Sequence, residues 1–188
     1  MNLLDIRNLS IVLKSATNPI LAVDRVSLTM KEGEVRGLVG ESGSGKSLLA
    51  QAIIGVLDEK WHVDADRFHW RGKDLMRLSV DERKAIISKD VAMIFQEPMA
   101  CLDPTMTIGM QLTEAVDGEQ LTGYFWQKNQ QRKETAISLL HKVGIKQHKI
   151  CLKKYPHQLN EALCQRVMIA MALAKRPILL IADEPTAA

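Results

Sequence analysis

Apolar and polar residues alternate over much of residues 3–13 and 22–30, the two-residue rhythm of half-buried strands. Lys31-Glu32-Gly33 reads as a turn into a third strand over 35–39. A helix is predicted from 46 to about 57, with Leu48, Leu49, Ile53 and Ile54 on its apolar side. Residues 68–70 offer a short strand closed by Arg71-Gly72. Ser79 and Glu82 have the Ser-x-x-Glu spacing of a capping box, which predicts a helix over 80–88. Residues 91–95 form a compact apolar run that stops at Gln96-Glu97-Pro98, hence a strand and then a loop. The pattern is helical from 108 to 143 with a break at Asp117-Gly118, and helical again over 161–174. Residues 178–182 read as a buried strand. Strands alternating with helices predict an α/β fold with a mostly parallel sheet.

With 188 residues, one domain with a subdomain is expected, large enough to bury a core. Twenty-five basic against 22 acidic side chains give a net charge of +3, too small a bias to argue for nucleic acid. Lys128, Arg132 and Lys133 read as a solvated helix face. Three cysteines, Cys101, Cys151 and Cys164, are far apart and odd in number, so a disulfide framework is not expected. They read as structural or free thiols, and a reducing cytoplasm suits them. The longest apolar stretch, 167–174, has eight residues; a membrane span needs about 20. Val167, Met168 and Met171 read as core packing. Tyr124-Phe125-Trp126 would contact a partner or anchor a local core, and clustered aromatics favour the core.

The chemistry sits first in Gly40-Glu41-Ser42-Gly43-Ser44-Gly45-Lys46-Ser47, which fits G-x-x-x-x-G-K-[ST] without a mismatch. Glycines let the backbone wrap so that successive N–H groups face phosphate oxygens. The helix beginning near Lys46 adds its positive end. Lys46 suits the β- and γ-phosphates of ATP, and the Ser47 hydroxyl suits Mg²⁺. The alternative, a flexible Gly/Ser linker, does not explain why the loop falls between a predicted strand and a predicted helix. Given that loop, Asp183 at the end of an apolar strand suits Mg²⁺ held through water, and Glu184 suits orientation or deprotonation of an attacking water.

Together with Gln96 after its strand and "LLIADEPT", the loop resembles the ATP-binding subunits of ABC transporters. "VGESGSGKS", "VAMIFQEP", "YPHQL" and "QRVMIAMALA" are similar to the branch serving dipeptides and oligopeptides. "LLDIRNLSI", "AVDRVSL", "ADRF", "FQEPMACLDP" and "LLHKVGIKQHK" resemble most the ATPases of Sap peptide transport systems. The resemblance covers essentially the whole chain. It implies a phosphate-loop NTPase core over 1–96 and 166–188, with a helical subdomain over about 97–165 that touches integral membrane permease subunits. Gly40 to Ser47 would bind phosphates, with Ser47, Gln96 and Asp183 on Mg²⁺ and Glu184 as the catalytic carboxylate. A second ATPase subunit would complete the sandwich, at the cytoplasmic face of a bacterial inner membrane. Substrates would be peptides, antimicrobial ones included.

Three departures from the family pattern carry expectations. Where relatives have Leu-Ser-Gly-Gly gripping the partner's ATP, this chain has Leu159-Asn160-Glu161-Ala162, followed by Gln165. Asn160 remains a good N-cap. Glu161 sets a carboxylate near an anion, and Ala162 obstructs close backbone approach. A weakened motif implies an asymmetric dimer with a non-identical subunit, or a regulatory, non-hydrolysing module. Second, relatives stack adenine on an aromatic near Leu13, yet no aromatic precedes Trp61, so selectivity for adenine is expected to weaken. Third, the family continues after "ADEPTAA" with another strand and a γ-phosphate-sensing histidine. That strand would lie between those at 35–39 and 178–182. The chain is therefore expected to be truncated, with unpaired backbone in its sheet and little ATP hydrolysis by itself.

Overall fold

A computed structural model describes residues 2–14, 18–118 and 121–185. The chain forms two compact units, Met1–Ser88 and Lys89–Ala188. The first is built on β1 (Asn2–Leu13), which pairs antiparallel with β2 (Ile20–Lys31) on one side. It also pairs antiparallel with β3 (Trp61–Asp64) and β4 (Arg67–Trp70), and β4 pairs with β5 (Lys73–Asp74). Leu4, Ile6, Leu9, Ile11, Phe68 and Trp70 are almost wholly buried. The expected mostly parallel sheet is thus corrected for this unit, whose ladder is antiparallel throughout. Strict alternation is the mark of a sheet that keeps one face wet, as antiparallel sheets do.

Alternation breaks at Arg7-Asn8, and the structure gives the reason. The β1–β2 register shifts between Ile6 and Leu9 and again between Leu9 and Ile11. Asn8 and Arg25 take φ of 49° and 46° there. Each donates its backbone N–H to a serine of the facing strand, Asn8 to Ser27 Oγ at 3.0 Å and Arg25 to Ser10 Oγ at 3.1 Å. These are bulges with their loose donors tied.

Helix α1 (Lys46–Ile54) buries Leu49, Ala50, Ala52 and Ile53. Helix α2 (Val80–Asp90) starts at the predicted capping box: Ser79 N and Oγ donate to Glu82 Oε2 at 2.9 and 2.7 Å, and Glu82 N donates to Ser79 Oγ at 3.3 Å. Arg83 lies over the Phe68 ring at 4.8 Å and donates to the Ala52 carbonyl at 2.6 Å. The expected strand over 35–39 is absent. Residues 34–40 carry no strand among the described residues, and Val35 and Val39 are 99% and 95% exposed. A short segment with only Val35, Leu38 and Val39 apolar, interrupted by Arg36 and Gly37, holds as a strand only when neighbours pair it.

In the second unit, β6 (Val91–Ile94) and β7 (Leu179–Ala182) form a parallel pair, from Val91 opposite Leu179 to Ile94 opposite Ala182. All four β6 residues are buried, as an uninterrupted apolar run implies for a parallel strand. The ladder extends at both ends: Ile178 N donates to Asp90 O at 2.7 Å and Asp183 N to Ile94 O at 2.9 Å. Helix α3 (Pro98–Cys101) begins inside the expected loop, with proline at the helix start, where its missing N–H costs nothing. Helices α4 (Ile108–Ala115) and α5 (Phe125–Lys142) flank the predicted break. Helix α6 (His148–Cys151) is a single turn that the periodicity did not mark.

Helix α7 (Glu161–Ala174) has the predicted bounds and is buried on two faces. Cys164, Val167, Ala170 and Ala174 enter a core with Ile108, Leu112, Ala136 and Leu140. Met168 and Ala172 pack instead with Ala92 and Ile94 of β6. The aromatic triplet is corrected: Tyr124, Phe125 and Trp126 are 70%, 78% and 67% exposed. They sit at the cap and first turn of α5, ahead of the buried Ala136, Leu139 and Leu140. Tyr124 stacks on Trp126 with ring centres 4.9 Å apart. All three cysteines are free thiols.

Candidate nucleotide site

In the first unit the chain leaves β2, crosses 34–40, and turns through Glu41–Ser44 into α1. Gly45 is the N-cap, with φ 89° and ψ 9°, and no side chain caps the helix. The N–H groups of its first turn therefore remain available to an anion. A Cβ on Gly45 would meet Val23 Cγ2 at 2.7 Å and the Ala22 carbonyl at 2.9 Å. Gly43 has φ 80°, and a Cβ on Gly40 would meet Ser44 Oγ at 2.9 Å. Left-handed backbone and absent space together make glycine obligatory at Gly45. Lys46 Nζ donates to the carbonyls of Gly40 at 2.9 Å and Glu41 at 2.7 Å, and reaches Ser44 Oγ at 3.5 Å. The ammonium is thus held over the concave side of the loop. Ser47, half-buried, occupies the second position of α1. Glu41 and Ser42 are exposed on the turn.

The second unit brings Gln96 and Glu184 together. Both follow the C-terminal ends of paired strands, and Gln96 Nε2 donates to Glu184 Oε2 at 2.8 Å. Asp183 is tied through its backbone N–H to Ile94. Glu184 has φ 48°, a left-handed conformation that an L side chain adopts only when its surroundings hold it.

The segment 159–165 opens α7. Asn160 is the N-cap as its chemistry expects, its Oδ1 accepting from Leu163 N at 2.9 Å. Glu161 and Ala162 are exposed in the first turn, and Leu159 is half-buried. A carboxylate in that turn favours the helix itself. Gln165 is different: 7% exposed, it donates through Nε2 to the Pro185 carbonyl.

Strand β3 brings an aromatic residue beside Leu13. Trp61 stands directly opposite Leu13. Trp61 and Val63 share one face of β3, Val63 opposes Ile11, and Ile11 opposes Val23. Val23 is the residue a Cβ on Gly45 would strike. An aromatic therefore lies on the loop's side of the sheet, from a strand distant in sequence. The four-residue alternation Trp-His-Val-Asp was the available signal.

The glycine cradle, the lysine within it and the uncapped helix fit a phosphate chain. Ser47, Gln96 and Asp183 are hard oxygen donors of the kind Mg²⁺ takes alongside phosphates. No group of three His, Cys, Asp or Glu able to hold a metal occurs among the described residues. Mg²⁺ carried largely by phosphate oxygens needs none. No helix among the described residues is long and apolar enough to cross a membrane.

Comparison with known proteins gives the family. The profile of the ABC transporter family matches residues 23–187. Over 186 residues, 99% of this chain, identity is 54% to the peptide transport system ATP-binding protein SapD of Escherichia coli O157:H7. Identity is 47% over 188 residues to the dipeptide transport ATP-binding protein DppD of Escherichia coli K12. The chain spans 56% of the length of each of these relatives. Among solved structures it is similar to the ATP-binding cassette MJ0796, in a dimeric post-hydrolysis state bound to ADP and Pi. There the TM-score is 0.81 and identity 27%, covering 98% of this chain and 75% of that one. By its sequence and by its fold, that of a phosphate-loop ATPase cassette, this chain belongs to the ABC transporter family.

Proposed function

We propose that the chain binds and hydrolyses Mg·ATP as the ATP-binding part of a peptide transporter of the Sap type, at the cytoplasmic face of a bacterial inner membrane. The reading rests on the loop at Gly45, whose conformation and crowding suit backbone wrapped on phosphates and nothing bulkier. The names of the relatives, peptide and dipeptide transport ATP-binding proteins, supply the substrate class. Residues Gly40 to Ser47 cradle the phosphates, and Lys46 exchanges its loop carbonyls for β- and γ-phosphate oxygens. Ser47, Gln96 and Asp183 would hold Mg²⁺, which would supply charge neutralisation at the phosphates. Glu184 orients or deprotonates the attacking water, and its carboxylate is steadied by the Gln96 amide. Trp61 offers a face for the nucleobase beside Leu13.

Residues of about 97–165 act as the helical subdomain that meets integral membrane permease subunits. The exposed Tyr124, Phe125 and Trp126 belong to that subdomain. A second, non-identical ATPase subunit completes the pair. Its loop meets Leu159, Asn160, Glu161 and Ala162, where the Glu161 carboxylate weakens the grip on that second ATP.

The test is retention of Mg·ATP by the wild-type chain and by Lys46→Ala. Loss of the charge-assisted contacts lowers affinity about 10- to 100-fold. Equal retention by the two proteins, or none by either, overturns the reading.

A further inference from the structure

Past β7 the chain enters a turn that side chains from other elements reach. Glu184 takes φ 48°. Two side chains hold it from outside. Gln96 donates to the Glu184 carboxylate at 2.8 Å, and Gln165 donates to the Pro185 carbonyl. The helix explains why Gln165 is there. Gln165, Met168 and Ala172 recur at i, i+3 and i+7, one stripe of α7. Met168 and Ala172 are the residues that pack on Ala92 and Ile94 of β6. Gln165 thus extends the apolar seam between α7 and the parallel strands with one polar group, 7% exposed, at the ends of those strands. A buried amide is costly unless bonded, so its donor is committed.

We propose that Gln165 is a positioning residue for Glu184. Gln165 fixes the Pro185 carbonyl, this pins the left-handed backbone at Glu184, and the carboxylate is presented where Gln96 steadies it. The inference rests on the reading of Glu184 as the carboxylate that acts on water. It gives Gln165 a role within its own chain, distinct from a contact to a partner's ATP.

Gln165→Met keeps length and bulk while removing the donor, and Gln165→Glu keeps polarity while replacing the donor by an acceptor. Turnover is measured in the assembled transporter, alongside Mg·ATP affinity and hydrogen exchange of the chain. Both variants are expected to lower kcat about 10- to 100-fold, as displacement of a reacting group by about 1 Å does. Affinity stays within about twofold. Exchange rises over 179–185 and not over 161–174. In a Glu184→Gln background, Gln165→Met has no further effect on kcat. If Glu184→Gln is inactive while both Gln165 variants turn over normally, the inference is overturned and the role of Glu184 stands. A lower melting temperature with unchanged kcat per folded molecule also overturns it, as does increased exchange confined to α7. Wild-type turnover by Glu184→Gln removes the reading of Glu184 and the inference with it.

Discussion

Glycine at position 45 illustrates how much one absent methyl group decides. Its φ of 89° and the 2.7 Å approach to Val23 Cγ2 leave a Cβ neither a conformation nor a place. Gly45→Ala therefore either pushes β2 away or flattens the turn, at about 1–3 kcal/mol. We expect that variant to lose Mg·ATP affinity in a titration even at temperatures where circular dichroism reports a folded chain. Undiminished binding would mean that the loop does not depend on this geometry. The loop was legible because its signature is local: eight consecutive residues carry conformation and chemistry together. The Gln96–Glu184 contact spans 88 positions, and only the register of β6 on β7 reveals it. Trp61 was hidden likewise, since a cross-strand neighbour leaves no mark in the spacing of either strand alone.

At the scale of elements, local rules did well where side chain and backbone answer each other within a turn. Ser79 and Glu82 satisfy each other's orphan groups at the start of α2, and the bonds from Ser79 hold the Glu82 carboxyl below its ordinary range. The sign follows. A depressed folded value contributes stability above the ordinary carboxylate range, and this is lost as pH falls through that range and below. Amide exchange at the start of α2, corrected for intrinsic rates, should therefore become less protected on acidification, and Glu82→Gln should flatten that dependence. An identical pH response in the variant would count against the box as the source. Propensity misled at Tyr124-Phe125-Trp126, where aromatic content argued for burial. Their position at the entry of α5, before its buried stripe begins, overrides composition. Likewise α6, one turn long, is set by its backbone bonds to Gln147 and by packing of Cys151, neither of which has a period to read.

Across the whole molecule, a fold class could be named from alternating elements, but strand direction could not. Alternation and solid apolar runs distinguish half-wet from buried strands, and here they separate β1 and β2 from the fully buried β6, whereas β7, expected to be buried, buries only Leu179. The expectation of a mostly parallel sheet holds for β6 and β7 and not for the strands of the first unit. The uncovered ribbon at Val35–Val39 then matters for handling. Val35, Leu38 and Val39 stand open to solvent within five residues, an apolar surface through which one copy sticks to another. With a formal charge of only +3, repulsion between copies offers little protection. Light scattering should rise with concentration for the native chain and much later for Val35→Lys or Val39→Glu; coincident curves would exonerate the ribbon.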